Sequence, residues 1–336
     1  MDMPATLDRP PIIAFMSSVS ARTQFILENR AYIESLPFEG MTVNIPASWN
    51  AMTPGVIVTL ADVREWLVPL ANFNTGKFNY LIIENDRPDD LFDDAAWMQA
   101  IENWRTMAKV AAETGFRGIL FDNEEYQGHW DNFPEDVASD GVSRGVNAYQ
   151  AQAQLRGLQV MQAVQSVFPG AQVAVAHGPY LSVPRGAGAP PSIQLQAGDW
   201  QDQELMGPFF TGLVEGAAQP LTVIDAGELY ALRSAEDFAQ SMTYRNALGP
   251  LIPWPTAPDV MENWAERVAA GHMIYTDTYP AGYTQSPQIL ATTIKNALPY
   301  SEGAIFVFSE VDHVDFFTPN AGADAWIAAI ATAVGR

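Results

Sequence analysis

The feature of this sequence that most constrains its fold is a regular alternation of short apolar segments with longer helical segments. Apolar segments of four or five residues, most of them rich in β-branched residues, are typical of buried strands. Eight such strands are predicted: Ile12–Met16, Met41–Ile45, Tyr80–Ile83, Gly118–Phe121, Gln172–Ala176, Leu221–Ile224, His272–Tyr275 and Ala304–Phe308. Because helical periodicity follows each of them, the pattern predicts repeated βα units and a parallel sheet.

The helices predicted after these strands are Ala21–Ser35, Thr59–Ala71, Ala95–Thr114, Asn147–Phe168, Asp202–Ala218, Ala235–Asn246 with Val260–Ala270, Pro287–Leu298 and Ala323–Val334. Eight βα units in 336 residues is the count of a TIM barrel, whereas a doubly wound open sheet usually has fewer strands. The sequence contains neither GxGxxG nor a P-loop. We therefore predict an α/β fold, a single (β/α)8 TIM barrel that spans residues 1–336, with residues 1–11 as an N-terminal extension.

Two long loops are predicted, Gln127–Val146 and Ser182–Trp200. Both follow a strand, so in a barrel both belong to the C-terminal face, where active sites lie. A structureless loop of about 20 residues is uncommon unless it has a function or is disordered. One of the two is therefore expected to cover a substrate, and the alternative is a mobile insertion.

Charge and cysteine content exclude several classes of function. The chain has 39 acidic and 17 basic residues, a formal charge of −22, which disfavours binding to nucleic acid or to an anionic membrane. A saline habitat is an alternative explanation of this acidity. There is no cysteine, which removes thiolate nucleophiles and Cys-ligated zinc. Because residues 1–11 do not resemble a signal peptide, the protein is either exported with its leader removed, which we favour, or cytoplasmic.

Acidic residues recur where predicted strands end. In the fourth strand, side-chain alternation places Asp122 and Glu124 on the same face as Leu120. If that face is the barrel interior, their titrations are coupled, and one of them is able to keep a proton and act as an acid. The alternative for Asp122 is a cap or turn residue. Further acids follow the other strands, with Glu84 and Asp86 as weaker examples: Asp225, Glu228, Asp277 and Glu310.

Aromatic residues accompany these acids, and the combination suits a sugar, whose C–H faces stack on aromatic rings while its hydroxyls bind carboxylates. The aromatic candidates for substrate binding are Tyr126, Trp130, Tyr180, Tyr230 and Tyr279. His177 ends the fifth strand, and we expect it either to contact a hydroxyl or carboxylate or to be a core histidine. The four histidines show no metal-ligand spacing, so no catalytic zinc and no cofactor are predicted, although a Ca²⁺ or Mg²⁺ ion among the acids stays open.

The segment RGILFDNEE resembles the fourth-strand signature of (β/α)8 glycoside hydrolases, in which an apolar strand ends in Asp-x-Glu. Family-18 chitinases carry a longer version. Asp122 and Glu124 match its last two acids, whereas Arg117 and Leu120 stand where chitinases have aspartate. The chain also resembles a group of uncharacterised bacterial glycosidase-like proteins, through SLPFEGMTVNIP, GFRGILFDNEEY, DAGELY and FVFSE. The resemblance implies a barrel glycosidase with a carbohydrate substrate.

Such an enzyme needs one carboxylic acid to protonate the leaving oxygen and one carboxylate to attack the anomeric carbon or to activate water. Glu124 and Glu228 are the leading candidates, and Asp122 is a nucleophile or tunes Glu124. Asp225, Asp277 and Glu310 are expected to bind substrate or support the pair. Two alternatives are a carbohydrate-binding barrel without catalysis and a metal-dependent barrel hydrolase. No GxSxG elbow supports serine chemistry. Oligomeric state and stereochemical outcome are not determined by the sequence.

Overall fold

In a computed structural model, the part of the chain that the structure describes contains nine parallel strands with helices between them. The structure describes residues 7–16, 23–74, 77–124, 130, 140–183, 189–191, 193, 204–277, 285–310, 313–320 and 322–336. The strands are β1 Ile12–Met16, β2 Gly40–Val43, β3 Tyr80–Glu84, β4 Gly118–Asp122, β5 Gln172–Val175, β6 Thr222–Asp225, β7 Val268–Ala270, β8 His272–Tyr275 and β9 Ile305–Ser309. All eight predicted strands are present.

The strand order is β7-β6-β5-β4-β3-β2-β1-β9-β8. Its two ends, β7 and β8, are consecutive in the chain and are separated only by Gly271. The first segment pairs with β6 and the second with β9. The two segments are therefore one interrupted seventh strand, which changes partner at Gly271 and closes the sheet. The fold is a (β/α)8 TIM barrel, as predicted.

The helices of the described residues surround the sheet. They are α1 Thr23–Glu28, α2 Arg30–Ser35, α3 Leu60–Leu67, α4 Asp94–Glu113, α5 Val146–Val167, α6 Met206–Gly216, α7 Ala235–Asn246, α8 Pro258–Glu262, α9 Trp264–Arg267, α10 Pro287–Ala297 and α11 Asp324–Ala333. Of the predicted helices, Val260–Ala270 is wrong in its last third. Val268–Ala270 forms β7 instead, because its backbone pairs with Val223–Asp225. The short run Val-Ala-Ala fits a helix or a buried strand equally well, so only pairing with β6 decides.

Two hydrophobic layers follow from the alternation of side chains along the strands. The outward layer packs against the helices, and α4 contributes the buried Trp97 and Trp104 to it. The inward layer fills the barrel, and its buried members include Ile13, Ile82, Leu120, Ala174, Ile224, Met273 and Phe306. Because the interior is filled, a ligand reaches only the end of the barrel. In the described part of the chain, no helix is both long and apolar enough to span a bilayer.

Candidate active site at the carboxyl ends of the strands

The acids of β3 and β4 point into the barrel mouth. Glu84 and Asp122 are the last residues of these strands and are register partners. They share their faces with Ile82 and Leu120, which belong to the inward layer. Asp122 therefore points inward, which is the condition under which coupling with Glu124 was expected, and Glu84 joins it from the neighbouring strand.

Burial has a large effect on both carboxyl groups. It raises the pKa of Asp122 well above the usual range, and the nearby Glu84 and Glu124 raise it further, while the Glu124 backbone N–H, which donates to Asp122 Oδ1 at 3.3 Å, opposes the rise. The pKa of Glu84 rises to about 7, first through burial and then through Glu124. The Asn44 amide donates to Glu84 Oε1 at 3.3 Å and opposes this rise.

Glu124 follows β4 and meets His177, which follows β5. His177 Nε2 lies 3.2 Å from Glu124 Oε1, and the imidazole is fully buried. The Asn123 side chain fixes the relative position of the two strand ends. Its amide donates to the His177 carbonyl, and its oxygen accepts from the His177 backbone N–H, both at 2.9 Å. These two bonds continue the β4–β5 pairing beyond the ends of the strands.

Glu228 reaches the same point from the loop after β6. The loop turns at Gly227, whose φ of +61° favours glycine, and a Cβ there would lie 1.9 Å from Arg245 Nη1. The backbone N–H of Glu228 donates to the Ala176 carbonyl at 3.0 Å, and that of Met273 donates to the Gly227 carbonyl at 3.1 Å. The loop is thus attached to both neighbouring strands, which directs the Glu228 side chain towards the barrel axis.

The three side chains converge. Glu228 Oε2 lies 3.6 Å from His177 Nε2, and one ligand atom from each of Glu124, His177 and Glu228 lies within 4.8 Å of the others. Burial raises the pKa of Glu228 well above its usual range, Glu124 and Asp122 raise it further, and contact with Tyr230 opposes the rise. These acids form a coupled group in which a proton is retained at neutral pH.

Aromatic rings line the other side of the mouth. Tyr230 and Tyr275 have ring centroids 4.9 Å apart, and Tyr275 stacks on Phe308 at 5.0 Å. The Tyr275 hydroxyl donates to Glu310 Oε1 at 2.7 Å, and Glu310 is exposed at the rim. Of the predicted binding residues, Tyr230 and Glu310 therefore lie at this aromatic side, and Tyr275 and Phe308 join them.

Asp225 lies on the opposite face of β6 from the mouth. Its neighbour Ile224 points inward, so Asp225 points outward, where its Oδ2 lies 3.2 Å from Arg245 Nε of α7. Both side chains are buried. Burial raises the pKa of Asp225, while Arg245 and the Gly227 N–H oppose the rise. The structure places Asp225 in a buried ion pair that supports the Glu228 loop.

The remaining predicted residues are scattered. Trp130 is fully buried, with its indole against Phe209 and its N–H donating to the Asn123 carbonyl at 3.2 Å. Tyr180 is buried behind His177, with its hydroxyl 3.5 Å from His177 Nδ1. Asp277 is half-exposed, and its Oδ1 lies 3.9 Å from His313 Nε2. Tyr126 and Tyr279 lie outside the described residues, as do most of the two predicted long loops.

Four residues of the mouth were not selected from the sequence: Asn44, Asn123, Tyr275 and Phe308. Asn123 alternates away from Glu124 along the strand, so its position gave no sign that it binds the His177 backbone. For Asn44, the available signal was its place directly after β2, where a polar residue faces the same end of the barrel as the acids. The Glu124–His177–Glu228 group could not be recognised in the sequence as a metal-ligand pattern, because its members follow three different strands.

Comparisons with known proteins support the fold but identify no family. The sequence matches no family model and no curated protein. It is similar in structure to a GH5-4 endoglucanase from an uncultured bacterium, with a TM-score of 0.51 and 12% identity over 96% of this chain and 93% of that one. A xylanase from Cellvibrio japonicus gives a TM-score of 0.49 at 10% identity over 98% and 99% of the two chains. A chitinase from Pseudoalteromonas aurantia gives 0.46 at 14% identity over 96% and 99%. At 12% identity, the likeness to the endoglucanase supports the TIM-barrel fold alone.

Proposed function

We propose that the protein is a glycoside hydrolase that cleaves a glycosidic bond of an oligo- or polysaccharide with the carboxyl groups of Glu124 and Glu228. The observation that carries this proposal is their convergence at the open end of the barrel, with oxygens within 4.8 Å of each other. Glycoside hydrolysis needs two carboxyl groups in different protonation states. A coupled pair, one member of which has a strongly raised pKa, meets that requirement.

The surroundings of the pair also suit a sugar. The rings of Tyr230, Tyr275 and Phe308 form an apolar wall beside the acids, and Glu310 adds a carboxylate at the rim. Sugar rings stack on aromatic faces while their hydroxyls bind carboxylates. The resemblance of RGILFDNEE to the Asp-x-Glu signature of barrel glycosidases supports the same assignment, and so does the resemblance of the wider chain to glycosidase-like bacterial proteins.

The test is a screen of aryl-glycosides and oligosaccharides, followed by substitution of the pair. Glu124→Gln and Glu228→Gln each keep the side-chain volume and are expected to lower kcat by at least about 100-fold, because a positioned acid or base contributes about 10²–10⁴-fold. Glu65→Gln, at an exposed position of α3, is the matched control and should leave kcat unchanged. Full activity in both site variants, with unchanged thermal unfolding, would refute the proposal. Binding of oligosaccharide without any turnover would indicate the non-catalytic barrel instead.

A metal-dependent hydrolase is the second candidate, because two carboxylates and one imidazole within 4.8 Å also match the ligand set of a divalent cation. Dialysis against a chelator, followed by addition of Zn²⁺, Mn²⁺ or Mg²⁺, separates the two candidates. The two-carboxylate glycosidase keeps its activity after chelation. Loss on chelation and recovery with one of these ions would favour the metal-dependent enzyme.

A further inference from the structure

One nitrogen of His177 faces both glutamates of the proposed catalytic pair. Nε2 is 3.2 Å from Glu124 Oε1 and 3.6 Å from Glu228 Oε2, and the imidazole is fully buried. A single ring nitrogen carries at most one hydrogen, so it donates best to one carboxylate at a time. The shorter distance favours Glu124 as the acceptor.

The hydrogen bond at the other nitrogen, Nδ1, depends on the tautomer. Tyr180 belongs to the 3-10 helix Pro179–Leu181, and its hydroxyl lies 3.5 Å from His177 Nδ1. Burial raises the pKa of Tyr180 well above its usual range, so the hydroxyl keeps its proton and is able to donate it to Nδ1. An imidazole that accepts at Nδ1 carries its hydrogen on Nε2, where it points at the glutamate pair, whereas a ring that donates from Nδ1 to Tyr180 has the opposite tautomer.

The imidazole is also held in place from the side of β4. Asn123 binds both the N–H and the carbonyl of His177 at 2.9 Å, and Asn123 directly precedes Glu124 in the chain. The distance between Glu124 and His177 is therefore set by a rigid connection. Glu228 belongs to the loop after β6, and its backbone N–H donates to the carbonyl of Ala176, the residue before His177.

We propose that His177 is a positioning residue that separates the roles of the two glutamates: its Nε2–H donates to Glu124 and keeps it as the carboxylate nucleophile, while the shared proton stays on Glu228, the general acid. This inference rests on the proposed glycosidase function. The groups facing the imidazole are Glu124 from β4, Glu228 from the loop after β6, Tyr180 from the 3-10 helix, and Asp225, whose charge interacts with His177.

The reaction then proceeds in two balanced steps. A Glu124 oxygen forms a bond to the anomeric carbon as the bond from that carbon to the leaving oxygen breaks, and Glu228 transfers its proton to the leaving oxygen. A water molecule next attacks the anomeric carbon and gives one proton to Glu228. The bond to Glu124 breaks, and the carboxylate returns to the Nε2–H of His177.

The tautomer is measurable without any substrate. The chain has only four histidines, so a protein labelled with ¹⁵N-histidine gives few imidazole signals, and His177→Gln assigns one of them by its loss. Long-range ¹H–¹⁵N spectra at pH 7 are expected to show the His177 hydrogen on Nε2. Hydrogen on Nδ1, or a doubly protonated ring at pH 7, would overturn the proposal even if the protein hydrolyses glycosides.

Chemical rescue with azide tests whether Glu124 is the nucleophile and Glu228 the general acid. Azide added to Glu124→Ala should restore turnover of an activated aryl-glycoside and give a glycosyl azide of inverted anomeric configuration, because azide replaces the nucleophile. Azide added to Glu228→Ala should give the retained configuration, because azide attacks the glycosyl-enzyme formed by Glu124. The opposite pair of products would exchange the two roles and disprove the assignment.

His177 itself is tested by two replacements. Gln places an amide N–H near the position of Nε2 and should keep kcat within about 10-fold, whereas Phe removes the donor and should lower kcat by about 100-fold. In His177→Phe the acidic limb of the kcat/KM profile should move to higher pH, since Glu124 holds a proton more tightly without the donor. If the role of His177 is purely structural, His177→Phe should lower the thermal stability and leave the acidic limb of the kcat/KM profile at the same pH.

If the wild-type protein cleaves no glycoside, the proposed function fails, and the spectra still decide whether His177 donates through Nε2.

Discussion

Glu84 and Asp122 are register partners at the ends of β3 and β4, so two carboxyl groups lie side by side at the barrel mouth. Burial raises the pKa of each, and the charge of Glu84 raises that of Asp122 further. Repulsion of this kind is relieved when the groups hold protons. The protein thus keeps more protons in its folded state than the unfolded chain does near neutral pH.

The first prediction is that stability falls as the pH rises. The pKa of Glu84 is about 7 in the folded protein and about 4.3 in an unfolded chain, so its contribution is complete below about pH 4.3 and is lost as the pH rises through 7. Urea unfolding should show the free energy of unfolding decreasing from pH 5 to pH 8, by up to about 3 kcal/mol from Glu84 alone. Glu84→Gln should flatten this dependence, and Glu65→Gln should not. A wild-type curve that rises over this range would contradict the prediction.

The second prediction is that hydrolysis retains the anomeric configuration. Retaining glycosidases have carboxyl groups about 5–5.5 Å apart, and inverting enzymes about 6.5–9.5 Å. The oxygens of Glu124 and Glu228 that face His177 lie within 4.8 Å of each other, which is closer to the separation of retaining enzymes than to that of inverting enzymes. Proton NMR of the first product anomer, recorded before mutarotation, measures the outcome. Appearance of the inverted anomer first would require a different pair of carboxylates.

The third prediction concerns Asp225, for which the sequence suggested substrate binding. Because its partner Arg245 is also buried, Asp225→Ala leaves an uncompensated charge and should lower the free energy of unfolding by roughly 3–5 kcal/mol. The double variant Asp225→Ala with Arg245→Met should recover part of that loss. Urea unfolding of both variants measures this. A stable Asp225→Ala protein with a strongly raised KM would instead support the substrate-binding role.

The fourth prediction concerns Asn123, whose side chain makes both bonds to the His177 backbone. Asn123→Ala leaves a buried N–H and a buried carbonyl without this partner, which should cost roughly 2–4 kcal/mol of unfolding free energy. It should also reduce kcat more than it raises KM, because Glu124 and His177 are no longer aligned. Asn50→Ala is the matched control, since Asn50 is exposed and donates to the Pro46 carbonyl. Equal kinetic effects in both variants would remove the positioning role of Asn123.

The strands were predictable because each is a buried apolar segment bounded by polar or turn residues, and none depends on distant partners to be recognised. The same argument failed at Val268–Ala270, where a run of three small or branched residues fits either a strand or a helix. Its pairing with β6 arises only in three dimensions. In the site, alternation along β4 puts Asp122 on the same face as Leu120, and the structure shows that this face is the barrel interior.

The rest of the site could not be predicted because it depends on pairing between strands. Alternation on β6 puts Asp225 outside, since Ile224 is inside, but that inference requires knowing which face of β6 is inward. The aromatic ring of Trp130 has a partner in Phe209, which lies 79 positions later in the chain. Tyr126 and Tyr279 lie outside the described residues, and their roles in substrate binding stay predictions.

The interrupted seventh strand has a consequence for the behaviour of shortened chains. β7 covers the open edge of β6, and β8 covers that of β9, so a few residues around Gly271 protect two sheet edges at once. A chain from which Val268–Tyr275 is deleted would expose rows of unpaired N–H and carbonyl groups on β6 and on β9. Such edges pair readily with other chains. The seventh strand therefore covers the two edges at which an incomplete barrel would pair with another molecule.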